Sequence, residues 1–194
     1  MIETLLIHTP WLAITLWAVS YLLDYYLTLY AARLYQAGAK EHFGFGGSYE
    51  LTPYYQQEID RLRLISPRFL LMLALSSLMI WLVWWLAVRW LGLSEFFLLL
   101  IGGLISRQLV VLTRHVRNII LFRHAQTPGN IQGRVEYKRH VTLHVSAAEL
   151  FTFAIIYLLI FLISGSVFFA GGAFACTVTG IQHWRLANKA KSMK

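Results

Sequence analysis

An all-α fold, a polytopic bundle of membrane-spanning helices, is what this chain predicts, on three observations. Five apolar stretches bounded by charge run through 194 residues, of which 58% are hydrophobic. The lysines and arginines between them fall almost entirely on alternate connections. Seven tryptophans lie near the ends of the stretches or a turn or two inside, as an interfacial belt requires. A hydrocarbon core of about 30 Å needs roughly 20 apolar residues as helix, because backbone polar groups must be satisfied within the segment. A soluble domain of this composition would aggregate.

The five spans are expected at 5–30, 69–91, 96–121, 143–163 and 167–183, within a single domain covering 1–194. Thr9 before Pro10, Ser66 before Pro67 and Ser94 before Glu95 each offer a capping hydroxyl where a helix start leaves donors unpaired. The N-terminus lacks a basic n-region and a small-residue cleavage site, so the first span is expected to stay. The fifth is the shortest. It carries Gly172, Cys176 and Gly180 at four-residue spacing, a small-residue stripe suited to close helix packing, and Gly171 beside Gly172 offers a hinge. Only Ser164, Gly165 and Ser166 join it to the fourth, which predicts a tight antiparallel hairpin. A homo-oligomer is a further expectation from the same stripe.

Orientation follows from positive charge, since Lys and Arg resist translocation. The loop 31–66 and the residues beside it hold Arg33, Lys40, Arg61, Arg63 and Arg68. The loop 122–140 holds Arg123, Arg134, Lys138 and Arg139, and the tail holds Arg185, Lys189, Lys191 and Lys194. The N-terminus is thus expected outside and the C-terminus in the cytoplasm of a cell membrane. The net charge of +8 then reflects retention and attraction to anionic headgroups, with Arg61, Arg63, Arg123, Arg134, Lys138 and Arg139 as the lipid or partner contacts. No nucleic-acid partner is expected, because no RNA-binding motif with interleaved aromatics occurs. Within 31–66, Gly44, Gly46 and Gly47 read as a Phe-flanked turn. Thr52 and Pro53 open a short amphipathic helix with Tyr55, Ile59 and Leu62 on one face. That helix lies on the inner membrane surface or packs against the cytoplasmic span ends.

The informative residues are those that do not belong in hydrocarbon. Asp24 and Thr28 share a polar face of the first span, Arg107, Gln108, Arg114 and Asn118 lie in the third, and Glu149 is in the fourth. Each ionised group costs at least ~2.5 to 3.5 kcal/mol at the bilayer centre, so it turns inward and seeks a partner. Arg107, Arg114 and Asn118 fall within about 40° of one another on a helix. Asp24 and Glu149 reach the same layer, which predicts that the two acids pair with Arg107 and Arg114. The network either fixes helix packing or lines a polar path.

Most histidines lie toward the cytoplasmic side and read as solvated interfacial residues. His140 and His144 stand one turn apart, as two metal ligands would, but Glu149 projects about 140° from His144, so no metal site is assigned. No cofactor is expected either; a b-type haem held by His115 or His144 with His183 is the alternative. One cysteine excludes an intramolecular disulfide. Hydrolase, zincin and dinucleotide-binding motifs are missing, and Ser76, Ser77 and Ser106 have no histidine at matching depth, so an enzyme is the minority reading. No lysine lies in a span, which excludes a retinal Schiff base. The sequence points first to a structural or accessory subunit that docks a membrane partner complex or anionic lipid. A small transporter or channel using the Asp/Arg/Glu cluster is the alternative.

Overall fold

The computed structural model of the chain describes residues 2–45 and 56–192. Among these residues seven α-helices follow in order: α1 (Ile2–His8), α2 (Pro10–Gln36), α3 (Gln56–Asp60), α4 (Pro67–Trp84), α5 (Ser94–Ala125), α6 (Arg139–Ser164) and α7 (Val167–Ser192). A π-helical segment, Trp85–Trp90, prolongs α4. Four helices are long and apolar enough to cross a membrane: Pro10–Gln36, Pro67–Trp90, Ser94–Ala125 and Arg139–Ser164. The apolar side chains on their outer faces, such as Leu71, Leu78 and Met79 on α4 and Ile155 and Leu159 on α6, are exposed as lipid contact demands. α7 matches α6 in length but carries Thr177, Thr179, Gln182 and His183 among glycines and alanines. It packs along both α5 and α6, where Thr179 and His183 are half-buried, while Thr177 and Gln182 lie on its exposed face.

Packing runs in the order α4, α2, α5, α7, α6, and α5 touches α6 only slightly. The α5–α7 seam is made by glycine. A methyl group on Gly171 would collide with the carbonyl oxygen of Leu99, and one on Gly102 with that of Phe168. The backbones therefore touch where no side chain intervenes. Gly172 lies against Ser106 and Tyr157, Gly180 against the ring of Phe151, and the fully buried Cys176 packs with Val110, Leu150, Ala154 and Tyr157. The small-residue stripe thus faces α5 and α6 of its own chain. Gly165 closes the α6–α7 turn at φ 67°, a conformation that favours glycine.

At the end of the bundle holding this turn, α1 folds over the helix ends. Glu3 accepts from the Ser166 hydroxyl at 2.5 Å and from the Phe168 amide at 3.3 Å, which caps α7 from a distant helix. Trp84 Nε1 donates to the Ile7 carbonyl at 2.7 Å, and Leu6 is buried with Trp17, Phe97 and Ile101. The capping pattern differs from expectation in two places. Ser66 accepts from the Phe69 amide at 3.3 Å, but Thr9 makes no side-chain cap. Ser94 is itself the first residue of α5, with Leu93 at the capping position, where the Leu93 carbonyl accepts from Phe96 and Phe97.

At the opposite end, hereafter the loop end, the two long connections are joined by a feature the all-α expectation lacks. β1 (Phe43–Phe45) pairs in parallel with β2 (Val135–Tyr137), with Phe43 opposite Val135 and Phe45 opposite Tyr137. Gly44, expected in a turn, is a strand residue, and a side chain there would press on Glu136 and Arg134. Gly46, Gly47, Thr52, Pro53 and Tyr55 lie outside the described residues. Phe43 packs with Ala31, Ala39, Phe122 and Ala125 and fastens the ladder to α2 and α5. Of the expected amphipathic helix, α3 covers Gln56–Asp60, and Ile59 is buried against Tyr25, Leu29, Ala32 and Phe69. Leu62 lies beyond its end at φ 50°. Among the described residues this segment packs on the ends of α2 and α4, held also by Tyr25 Oη donating to the Arg63 carbonyl at 2.7 Å.

Candidate functional site: an arginine-lined cavity

Because α5 and α6 diverge while α7 spans them from behind, a cavity of about 430 Å³ remains between the three helices. That volume lies in the range of small-molecule sites. α5 contributes Arg107, Arg114, His115, Arg117, Asn118 and Phe122, α6 contributes Ser146, Glu149 and Leu150, and α7 contributes Thr179 and His183. Phe43, Phe45 and Tyr137 of the ladder close the loop end. Arg107, Arg114 and Asn118 share one face of α5, because spacings of seven and four residues return to nearly the same angle on a helix.

Glu149 is the centre of charge. Arg114 Nε donates to its Oε2 at 2.9 Å, and Arg117 donates to its Oε1. Arg117 Nη2 also reaches Asn118 Oδ1 at 3.3 Å. Of the two arginines expected to meet the acids without an assigned partner, Arg114 takes Glu149, and Arg117, not among the expected residues, is its second partner. Arg117 is half exposed at the loop end, where an arginine reads as ordinary surface charge. Arg107 makes no hydrogen bond or ion pair among the described residues. Its charge falls near Cys176 and His183 of α7.

Asp24 corrects the expectation of two acid–arginine pairs. Its Oδ1 lies 2.7 Å from Nε2 of His115, and Thr28 Oγ1 is 3.1 Å from the same nitrogen while donating to the Asp24 carbonyl. His115 is one residue, hence about 100°, from Arg114 and so points to α2 rather than α6. It is buried, not solvated, and its Nδ1 has no partner among the described residues. Gln108 is also buried away from the cavity, its Nε2 without a partner among the described residues.

His42, His124, His140, His144 and His183 are engaged by neighbours as well. His183 Nδ1 lies 2.7 Å from Ser146 Oγ, an arrangement no spacing in the sequence signals because the partners are 37 residues apart. His144 meets Asn188 at 3.3 Å and packs on Trp184. The His140 and His144 rings stand 6.4 Å apart, and no third histidine, cysteine or acid joins them among the described residues. Of the basic residues expected to meet lipid, Arg61, Arg63, Lys138 and Arg139 are exposed at the loop end. Arg123 is exposed as well but donates to Tyr30 Oη at 2.7 Å and lies over its ring, and Arg134 stands beside Gly44 in the ladder.

The charged lining is net positive. Three guanidinium groups face the cavity against one carboxylate, in walls that combine Val111, Leu121, Val145, Leu150 and aromatic rings with the neutral polar side chains of Asn118, Thr142, Ser146 and Thr179. Where the wall is apolar, each charge acts over a longer range than it would at a surface. A helical bundle with four helices of membrane-crossing length and an arginine-lined cavity among the described residues is the class that fold and site define. No protein-family model matches the chain, and no curated protein and no solved structure matches it either.

Proposed function

We propose that the chain is a multi-pass protein of a cell membrane, crossing five times with its N-terminus outside, and that it binds an anionic ligand in the cavity from the cytoplasmic side. Counting α7 as the fifth crossing brings both long basic connections and the basic tail to one side, in agreement with the positive-inside rule. Topology has a direct test, because Cys176 is buried and silent toward aqueous reagents. A His8→Cys variant is expected to react with an impermeant maleimide on intact cells, and a Ser192→Cys variant only after permeabilisation. Labelling of both on intact cells would exclude an odd number of crossings.

The observation that carries the binding reading is Arg107. It lies 18 residues, about 27 Å, from the α5 terminus at the loop end, faces the cavity and has no protein counter-charge among the described residues. A cation at that depth is held cheaply only when an anion joins it. The protein in nanodiscs of zwitterionic lipid is expected to melt roughly 5 °C or more higher in a saturating anionic probe, phosphatidylglycerol or 1-naphthyl phosphate. Phosphatidylcholine and 1-naphthol are expected to have no effect. Absence of a shift with either anion would refute the reading. Transport of the bound anion is the role such a cavity serves. The exposed Arg61, Arg63, Lys138 and Arg139 favour a second reading, an accessory subunit whose basic face docks anionic lipid or a partner complex.

A further inference from the structure

The cavity has a polarity along the membrane normal, and that polarity selects among anions. Distances along the helices order its lining. Arg107, Leu150 and Thr179 form the deep end. Arg114, Glu149, Ser146 and His183 form the middle, and Phe43, Phe45, Phe122 and Tyr137 form the mouth. From Arg107 to Phe122 the axial distance is about 22 Å. Arg117, the exposed charged member of the lining, lies toward the loop end, so access from water is from there. At the mouth the rings of Phe45 and Tyr137 stack at 5.8 Å and 15° across the parallel ladder. Both are only partly buried, which leaves ring surface facing the cavity.

A bilayer lipid meets the opposite order. Its charged headgroup stays at the interface and its chains point to the membrane centre, whereas here the rings are at the interface and the unmatched guanidinium is deep. Arg114 and Arg117, nearer the mouth, already share the Glu149 carboxylate.

Resting on the proposed anion-binding role, we infer that the ligand is a small water-soluble organic anion, a carboxylate or phosphate on an aromatic or apolar body. It enters charge first from the loop end, its anionic group meets Arg107, with His183 and Thr179 beside it, and its body lies under Phe45 and Tyr137. Arg107 supplies a forked, permanently charged donor that matches either oxyanion. The rings supply stacking surface at little entropic cost.

The test is equilibrium dialysis of radiolabelled 1-naphthyl phosphate against the full chain in zwitterionic nanodiscs. Saturable binding is expected, weakened about tenfold or more in Arg107→Gln, as loss of a charge-assisted hydrogen bond demands. Arg107→Lys, which keeps the charge if the glutamine variant fails to fold, is expected to retain part of the affinity. Phe45→Leu with Tyr137→Leu is expected to weaken naphthyl phosphate while leaving inorganic phosphate competition unchanged. Arg61→Gln with Arg63→Gln is expected to change nothing. Equal binding of 1-naphthol, or full binding by a folded Arg107→Gln protein, would overturn the inference. If naphthyl phosphate does not bind but phosphatidylglycerol stabilises the protein, the solute inference fails while the broader anion-binding reading stands. If neither acts, both fail.

Discussion

A Gly171→Leu protein is expected not to accumulate as a folded species. The position has no room for even one carbon, because a side chain there would occupy the Leu99 carbonyl and crowd the Gly103 amide, both backbone atoms of α5 that cannot turn aside. Relief requires α5 and α7 to separate over their shared length. That separation also removes the packing of Cys176 against Val110 and of Gly172 against Ser106. The expected cost is on the order of 4 kcal/mol or more, at the upper end of what single substitutions produce. The measurement is the yield of monodisperse protein in mild detergent and its unfolding midpoint. Phe174→Leu on the exposed face of the same helix is the control and is expected to behave as wild type. A Gly171→Leu protein with wild-type yield and midpoint would mean that α5 and α7 do not meet backbone to backbone.

Glu149→Gln is expected to separate stability from binding. The substitution removes the carboxylate shared by Arg114 and Arg117, and the melting transition should fall by an amount equivalent to about 2 kcal/mol. This is less than the 3–5 kcal/mol of a fully buried pair, since Glu149 and Arg117 keep contact with solvent. The same change leaves the cavity with three guanidinium groups and no acid, so affinity for an anionic probe is expected to rise by about tenfold. A purely packing role predicts lower stability with unchanged or weaker binding. Dialysis and a melting curve on one preparation distinguish the two outcomes. Stability that falls without a gain in affinity would show that Glu149 does not compete with the ligand.

The parts of this molecule that were legible in the sequence are those set by one helix at a time. Apolar length gives the long helices, and the seven-residue interval between Arg107 and Arg114 puts both on the cavity wall. The glycine spacing of α7 marks a helix that must be approached closely. What escaped the sequence depends on how helices are rotated against one another. His115 reads as an interfacial side chain from its place toward the cytoplasmic side, yet a rotation of about 100° turns it from α6 to α2 and brings it to Asp24. Ser146 and His183 meet only because the α6–α7 hairpin aligns them. The ladder was invisible for a different reason. Two three-residue strands carry no usable periodicity, and their pairing joins segments about ninety residues apart.

That ladder also sets an order of events. Phe43 and Phe45 leave the ribosome with the first third of the chain, but their partners Val135 and Tyr137 follow only after α4 and α5 have been made. Until then the rings that will close the cavity mouth have no strand to pair with, and the remaining walls, α6 and α7, do not exist. The cavity is therefore the last part of the protein to be assembled. A nascent chain halted before residue 135 holds Arg107, Arg114 and Arg117 with neither Glu149 nor the ring cover, so quality control that senses unpaired charge in the membrane has a defined interval in which to act.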